Sequence, residues 1–200
     1  MSDFQTEILT PIPAHAVYLH CCRVANADQA YIIAALKQLS SQLSDKTVVI
    51  GLGASLLDFL NIQIPGMHAF PDFSASHLDM HAYETDLWIW LKANERGELF
   101  HTTQQISSLL KESFRIIHQV DAYRFQDGRD LTGYEDGTEN PEGEAACECA
   151  FMHHEQAALN GGSFLAVQQW QHSFAAFNAM SAIDKDHMIG RRLSDNEELE

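Results

Sequence analysis

Basic residues are scarce in this 200-residue sequence, where 12 Lys+Arg stand against 28 Asp+Glu for a formal net charge of −16. A carboxylate excess of that size opposes a phosphate backbone, so no nucleic-acid partner is expected. Long apolar runs are missing too. None approaches the stretch of about 18 residues that a membrane-crossing helix requires, so no membrane partner is expected either. The opening Met1-Ser-Asp-Phe-Gln-Thr-Glu is acidic and lacks the basic-then-apolar order of a secretory signal, which makes the cytoplasm the expected compartment. Cysteines number four, placed as Cys21-Cys22 and Cys147-x-Cys149, unlike the disulfide lattice of a secreted domain. What is present is ordinary for a globular chain: 46% hydrophobic and 20% charged residues, enough to fill a core in one large domain or two small ones.

Periodicity orders the first part of the chain. Ala14 to Val24 reads as a strand with Val17, Leu19 and Cys21 on one face and Tyr18 and His20 on the other, after a loose leader ending at Pro11-Ile-Pro13. Asn26-x-x-Gln29 resembles a capping box, and Ile32, Leu36, Leu39 and Leu43 then give the stripe of an amphipathic helix ending near Ser44. Thr47 to Ile50 is the next strand. Its exit Gly51-Leu-Gly53-Ala-Ser55 begins like a dinucleotide fingerprint, but Leu56 stands where the third glycine belongs, which leaves a tight turn into a short helix from Ser55 to Leu60. Asn61 to His81 is a long loop. Thr85 to Leu91 reads as a strand covered on both faces, with Gly97 marking the following turn. Thr102-x-x-Gln105 opens a helix that buries Ile106, Leu109 and Leu110, and Phe114 to Val120 is a closing strand. Strand, helix, strand, strand, helix, strand is the split βαβ order of ferredoxin-like folds.

Beyond Tyr123 the composition turns acidic and turn-rich, from Arg124 to Glu144. A new strand is expected at Ser163, carrying Phe164, Leu165 and Val167. A helix from Ser173 should bury Phe174, Phe177 and Met180, and another begins at the box Ser181-x-x-Asp184. Between them, Cys147, Cys149, His153 and His154 put four soft or borderline ligands inside eight residues, a density that suits zinc or copper, although the spacing matches no known finger. The simpler reading sets both cysteines on one face of a short strand from Ala145 to Phe151 and the histidines in the turn before Gly161-Gly162, and no metal is assigned.

The most unusual stretch is Asp127-Gly-Arg-Asp-Leu-Thr-Gly-Tyr-Glu-Asp-Gly-Thr-Glu-Asn-Pro141, with five acids and three glycines in one loop. An EF-hand is excluded because Leu131 and Thr132 occupy its fifth and sixth positions. A solvated acidic linker is one alternative. Gly133, Gly137 and Pro141 would instead fix the backbone, and a rigid loop presenting one Asp is how a scaffold places a general base beside a buried cofactor.

Gly133-Tyr-Glu-Asp136-Gly137, followed by Thr-Glu-Asn-Pro, resembles the G-x-x-D-G motif of the dye-decolorizing (DyP-type) haem peroxidases. Asp86-Leu-Trp-Ile-Trp-Leu, Gly161-Gly-Ser-Phe-Leu-Ala-Val-Gln and Ile189-Gly-Arg-Arg fall in the order and spacing of the same family, so the resemblance covers nearly the whole chain. It implies an α+β fold of ferredoxin-like units (βαββαβ) in a dimeric α+β barrel-like assembly. Residues 1–124 are then the first unit, and residues 125–200 the motif loop and the start of an incomplete second. It also implies an enzyme that uses hydrogen peroxide to oxidise dyes and small phenolic or aromatic donors, and a homo-oligomer. Asp136 matches the family's distal aspartate, which takes a proton from peroxide and returns it to the leaving oxygen. A carboxylate suits that task because it stays partly ionised at acidic pH, where histidine would be charged. Gly137, Thr138 and Glu139 are expected against haem b, whose axial histidine is expected beyond Glu200 together with a distal arginine. His172 and His187 are the alternative ligands within the chain, and a non-catalytic or weakly haem-binding protein on the same scaffold is the alternative function.

Overall fold

Alternating burial makes the sheet. In the computed structural model, which describes residues 5–43, 47–71, 75, 85–156 and 159–200, strand β1 (His15–Arg23) turns Val17, Leu19 and Cys21 into the core and leaves Tyr18 and His20 half-buried on its other face. β1 lies at the centre, antiparallel to β3 (Leu87–Ala93) and β4 (Phe114–Tyr123), while β2 (Val48–Leu52) pairs with the outer edge of β3. The strand order β2-β3-β1-β4 is the ferredoxin-like order that the sequence pattern implied. Leu19 sits opposite Ile89 in the register. Helices α1 (Gln29–Gln42) and α3 (Arg96–Leu110) supply Ile32, Leu39, Ile106 and Leu110 to the core, and the short α2 (Ala54–Phe59) adds Leu56.

Three local readings change. The N-cap of α1 is Asp28, whose Oδ1 accepts from the Ala30 amide at 2.7 Å, and Gln29 reaches the Phe59 carbonyl instead of closing a box with Asn26. Ser44, the expected helix end, lies outside the described residues. Helix α3 starts at Arg96, six residues before Thr102, because Glu95 caps it by accepting from the Gly97 and Glu98 amides. Leu99 and Thr103 extend the Ile106 and Leu110 stripe backwards at helical spacing. Gly97 is therefore a first-turn residue, and a Cβ there would stand 2.7 Å from a Glu95 carboxylate oxygen.

The leader is tied down. A 3-10 turn at Thr6–Leu9 is anchored by Gln5, whose amide group donates to the Ile50 carbonyl and accepts from the Ile50 amide. Lys92, buried on the face of β3 away from the helices, donates to the Glu7 carbonyl and to Thr10 Oγ1 and lies 3.9 Å over the Trp90 ring. Trp88 stacks on Tyr18 beside it. Of the long loop expected from Asn61 to His81, positions 72–74 and 76–81 lie outside the described residues; 61–71 are irregular and turn at Gly66.

By contact the chain divides into one unit of Met1–Tyr123 with Phe151–Phe164 and another of Arg124–Ala150 with Leu165–Glu200. Among its described residues the second unit has α4 (Gly143–Ala150), α5 (Phe174–Ala179) and α6 (Ala182–Ile189), with only isolated β-bridges. The expected strand from Ala145 to Phe151 is thus helix α4 through Ala150. Its alanines are the strongest helix formers, and an i, i+2 pair of small residues does not separate the two periods. No ladder forms at 163–173 among the described residues, and Phe164, Leu165 and Val167 are exposed. In α5 only Phe177 is buried, while Phe174 is exposed. α6 begins as expected, with Ser181 Oγ accepting from the Asp184 amide, and ends at Gly190 in the left-handed conformation.

Candidate functional site

The acidic loop is held by its own arginine. Arg129 donates to the Gly133 carbonyl and to Glu135 Oε1, each at 2.9 Å. Asp130 closes the turn between them, accepting from the Thr132 amide at 2.6 Å through Oδ1 and from the Gly133 amide through its carbonyl. Gly133 and Gly137 have φ of +96° and +71°, conformations that side chains resist. A Cβ on Gly137 would also lie 2.6 Å from Asn140 Nδ2.

Tyr134, between the two glycines, is the buried anchor. Its ring meets Phe177 edge-on, and its hydroxyl donates to Asp186 Oδ1 of α6 at 2.5 Å. Burial first, and then the Asp186 carboxylate, push the Tyr134 phenol up to about 12. The same hydrogen bond, helped by the Leu193 amide, holds the Asp186 carboxyl below its ordinary range.

The segment after α6 folds back on itself, with the Arg192 amide donating to the Glu197 carbonyl and the Leu199 amide to the Gly190 carbonyl. From it, Arg191 pairs with Glu139 at 2.5 Å, and Asn196 Nδ2 donates to Glu135 Oε2 and Thr138 Oγ1, each at 2.9 Å. Glu135 and Glu139 are thereby each paired with an arginine. Asp136, between them and exposed, makes no hydrogen bond or ion pair among the described residues, so both of its carboxylate oxygens are open to a ligand. Asp127 is equally unpaired, but it stands in the separate turn between Phe125 and Gly128.

The loop thus brings Asp136, Gly137, Thr138 and Glu139 together as one exposed turn. His172 and His187 are both exposed, His172 against the Phe174 ring and His187 in the last turn of α6. Cys147 and Cys149 are exposed on α4. Two positions apart on a helix they point about 200° from each other, so they share no face as they would on a strand. Among the described residues no three His, Cys, Asp or Glu side chains gather around a space for a metal ion. Sequence reasoning missed the braces: Tyr134 was visible within the motif and Arg191 beside Gly190, whereas Asp186 and Asn196 carried no signal.

Comparison with known proteins points to the same loop. Residues 127–200 match the family model described as Dyp-type peroxidase, C-terminal. A dye-decolorizing peroxidase of Mycobacterium tuberculosis is 26% identical over 96% of this chain, which spans 61% of that relative's length. A dye-decolorizing protein from V. cholerae superposes with a TM-score of 0.86 at 25% identity, covering 98% of this chain and 68% of its own. A DypB variant from Rhodococcus jostii RHA1, solved in complex with heme, gives 0.82 at 28% identity over 96% of this chain and 66% of its own. The family match begins at the loop singled out by its own chemistry, and the backbone follows solved dye-decolorizing peroxidases over nearly its whole length, so this chain is similar to the DyP-type peroxidases in both sequence and fold.

Proposed function

We propose that this chain carries the peroxide-handling loop of a haem peroxidase that oxidises dyes and small phenolic or aromatic donors, with Asp136 as the proton carrier. The observation that supports it most is the isolation of the Asp136 carboxylate: every acid beside it in the turn is paired, and it alone is left open on a braced backbone. Asp136 takes the proton from one oxygen of hydrogen peroxide and returns it to the other as the O–O bond breaks, so that water leaves. Gly137 allows the backbone to approach a flat cofactor, and Thr138 and Glu139 flank it. Gly137, Thr138 and Glu139 would hold haem b. When bound, haem supplies the iron that takes the oxidising equivalents from peroxide. A haem-ligating histidine is normally oriented by an acceptor for its second ring nitrogen. His172 and His187 have no such hydrogen bond among the described residues, and neither is assigned to the iron.

The test uses the full-length protein reconstituted with haemin and assayed for peroxide-dependent dye bleaching. Asp136→Ala is expected to slow the reaction with peroxide by about 10²- to 10⁴-fold while haem content stays at the wild-type level. An unchanged rate would remove Asp136 from the mechanism. Absence of any peroxide-dependent turnover in the wild type would favour the non-catalytic scaffold.

A further inference from the structure

An open carboxylate serves as a proton carrier only if the backbone that presents it does not wander, and one side chain spans the turn around Asp136. Asn196 has two amide hydrogens. One amide nitrogen donates to Glu135 Oε2 and to Thr138 Oγ1, each at 2.9 Å, so it joins the residue before Asp136 to the residue after Gly137. Asn196 is itself fixed. Its φ is +58°, its amide donates to the Arg192 carbonyl, and its carbonyl accepts from Arg191 Nη1 at 2.8 Å. Arg191 Nη2 then reaches Glu139, so the same short segment grips the loop at a third point.

We infer that Asn196 is a positioning residue for Asp136, a role that rests on the reading of Asp136 as proton carrier. The Asn196 amide holds Glu135 and Thr138 at a fixed separation, and Asp136 and Gly137 between them have their backbone set without a bond to the working carboxylate. It also supplies a donor to Glu135 Oε2, the oxygen that Arg129 does not engage, so both oxygens of the neighbouring carboxylate are held. Asparagine suits both demands. It tolerates the left-handed backbone and carries a forked donor that Asp could not provide.

The test is made in the full-length holoprotein with Asn196→Gly, which accepts the same φ but removes the amide. The expected result is a loss of about 10- to 100-fold in the rate constant with peroxide, with the KM for the reducing dye unchanged. Hydrogen exchange of the peptide spanning 133–140 should quicken. In an Asp136→Ala background, Asn196→Gly should cause no further loss, since it acts only through that carboxylate. A wild-type rate for Asn196→Gly, or an equal loss in both backgrounds, overturns the inference. If Asp136→Ala itself reacts at the wild-type rate, the proton-carrier reading fails instead, and unchanged exchange would show that Asn196 is no brace either. Thr138→Val removes one of the two acceptors. It should show a smaller loss of the same kind should Asn196→Gly fail to fold, and a wild-type rate and exchange in Thr138→Val overturn the inference.

Discussion

At Tyr134 a single hydroxyl joins the motif loop to α6, and burial makes its ionisation costly. The phenol ordinarily titrates at 10.0 and is pushed up to about 12 here. A group whose folded pKa is raised contributes stability that is complete below its unfolded value and is lost as pH rises through the folded one. The urea midpoint of the wild type should therefore fall between pH 10.0 and about 12 more steeply than that of Tyr134→Phe. In an alkaline titration of tyrosinate absorbance, the same substitution should delete a step near about 12. Identical titration curves would mean that Tyr134 is not the late group. Asp186 behaves with the opposite sign: its lowered carboxyl contributes above its ordinary value of 3.8 and loses that contribution as pH falls below it. The sequence marks Tyr134 only as a letter inside a motif. Its partner lies 52 positions away, and no local pattern connects them.

Glycines in one turn show how element geometry discriminates between similar residues. Gly51 in β2 has room, since an added Cβ would meet the Trp88 side chain at 3.7 Å, an ordinary contact. Gly53, at the entry to α2, has none: a Cβ there would fall 1.8 Å from the Thr85 carbonyl oxygen, which is backbone and cannot swing aside. Gly53→Ala should therefore destabilise the protein by about 3 kcal/mol or more, whereas Gly51→Ala should cost less than about 1 kcal/mol, as measured by urea unfolding. Equal costs would refute the close approach. From the sequence, Gly51 and Gly53 look like the start of one glycine motif. The difference between them comes from Thr85, brought alongside by the hydrogen bond from the Gly53 amide to the Asp86 carbonyl. The same limit explains α4. A segment with Ala145, Ala146, Cys147, Cys149 and Ala150 is compatible with either period, and among the described residues no neighbouring strand offers it a ladder.

On the scale of the molecule, the ferredoxin-like unit rests on the apolar layer between its sheet and its helices. Leu19, fully buried on the central strand, packs within the cluster that also holds Ile32, Leu39, Ile89 and Ile106. Leu19→Ala should cost about 2–5 kcal/mol, read as a shift in urea midpoint at constant slope. A loss under about 1 kcal/mol would show that this layer is not the centre of stability. The order of β1 to β4 with α1 and α3 was readable from sequence because each element carries its own period or, in β3, a short apolar run, and both depend on neighbours only a few residues apart. The acidic balance and the G-x-x-D-G loop were likewise determined by sequence alone, since charge and glycine placement are properties of the letters. Tertiary structure decided the rest: that Glu95 starts α3, that Lys92 is buried under the N-terminal segment, and that Asn196, Arg191 and Tyr134 brace the turn around Asp136. Each of these depends on hydrogen bonds or burial settled by the fold, and a donor's partner is set by distance in space, which composition and periodicity do not encode.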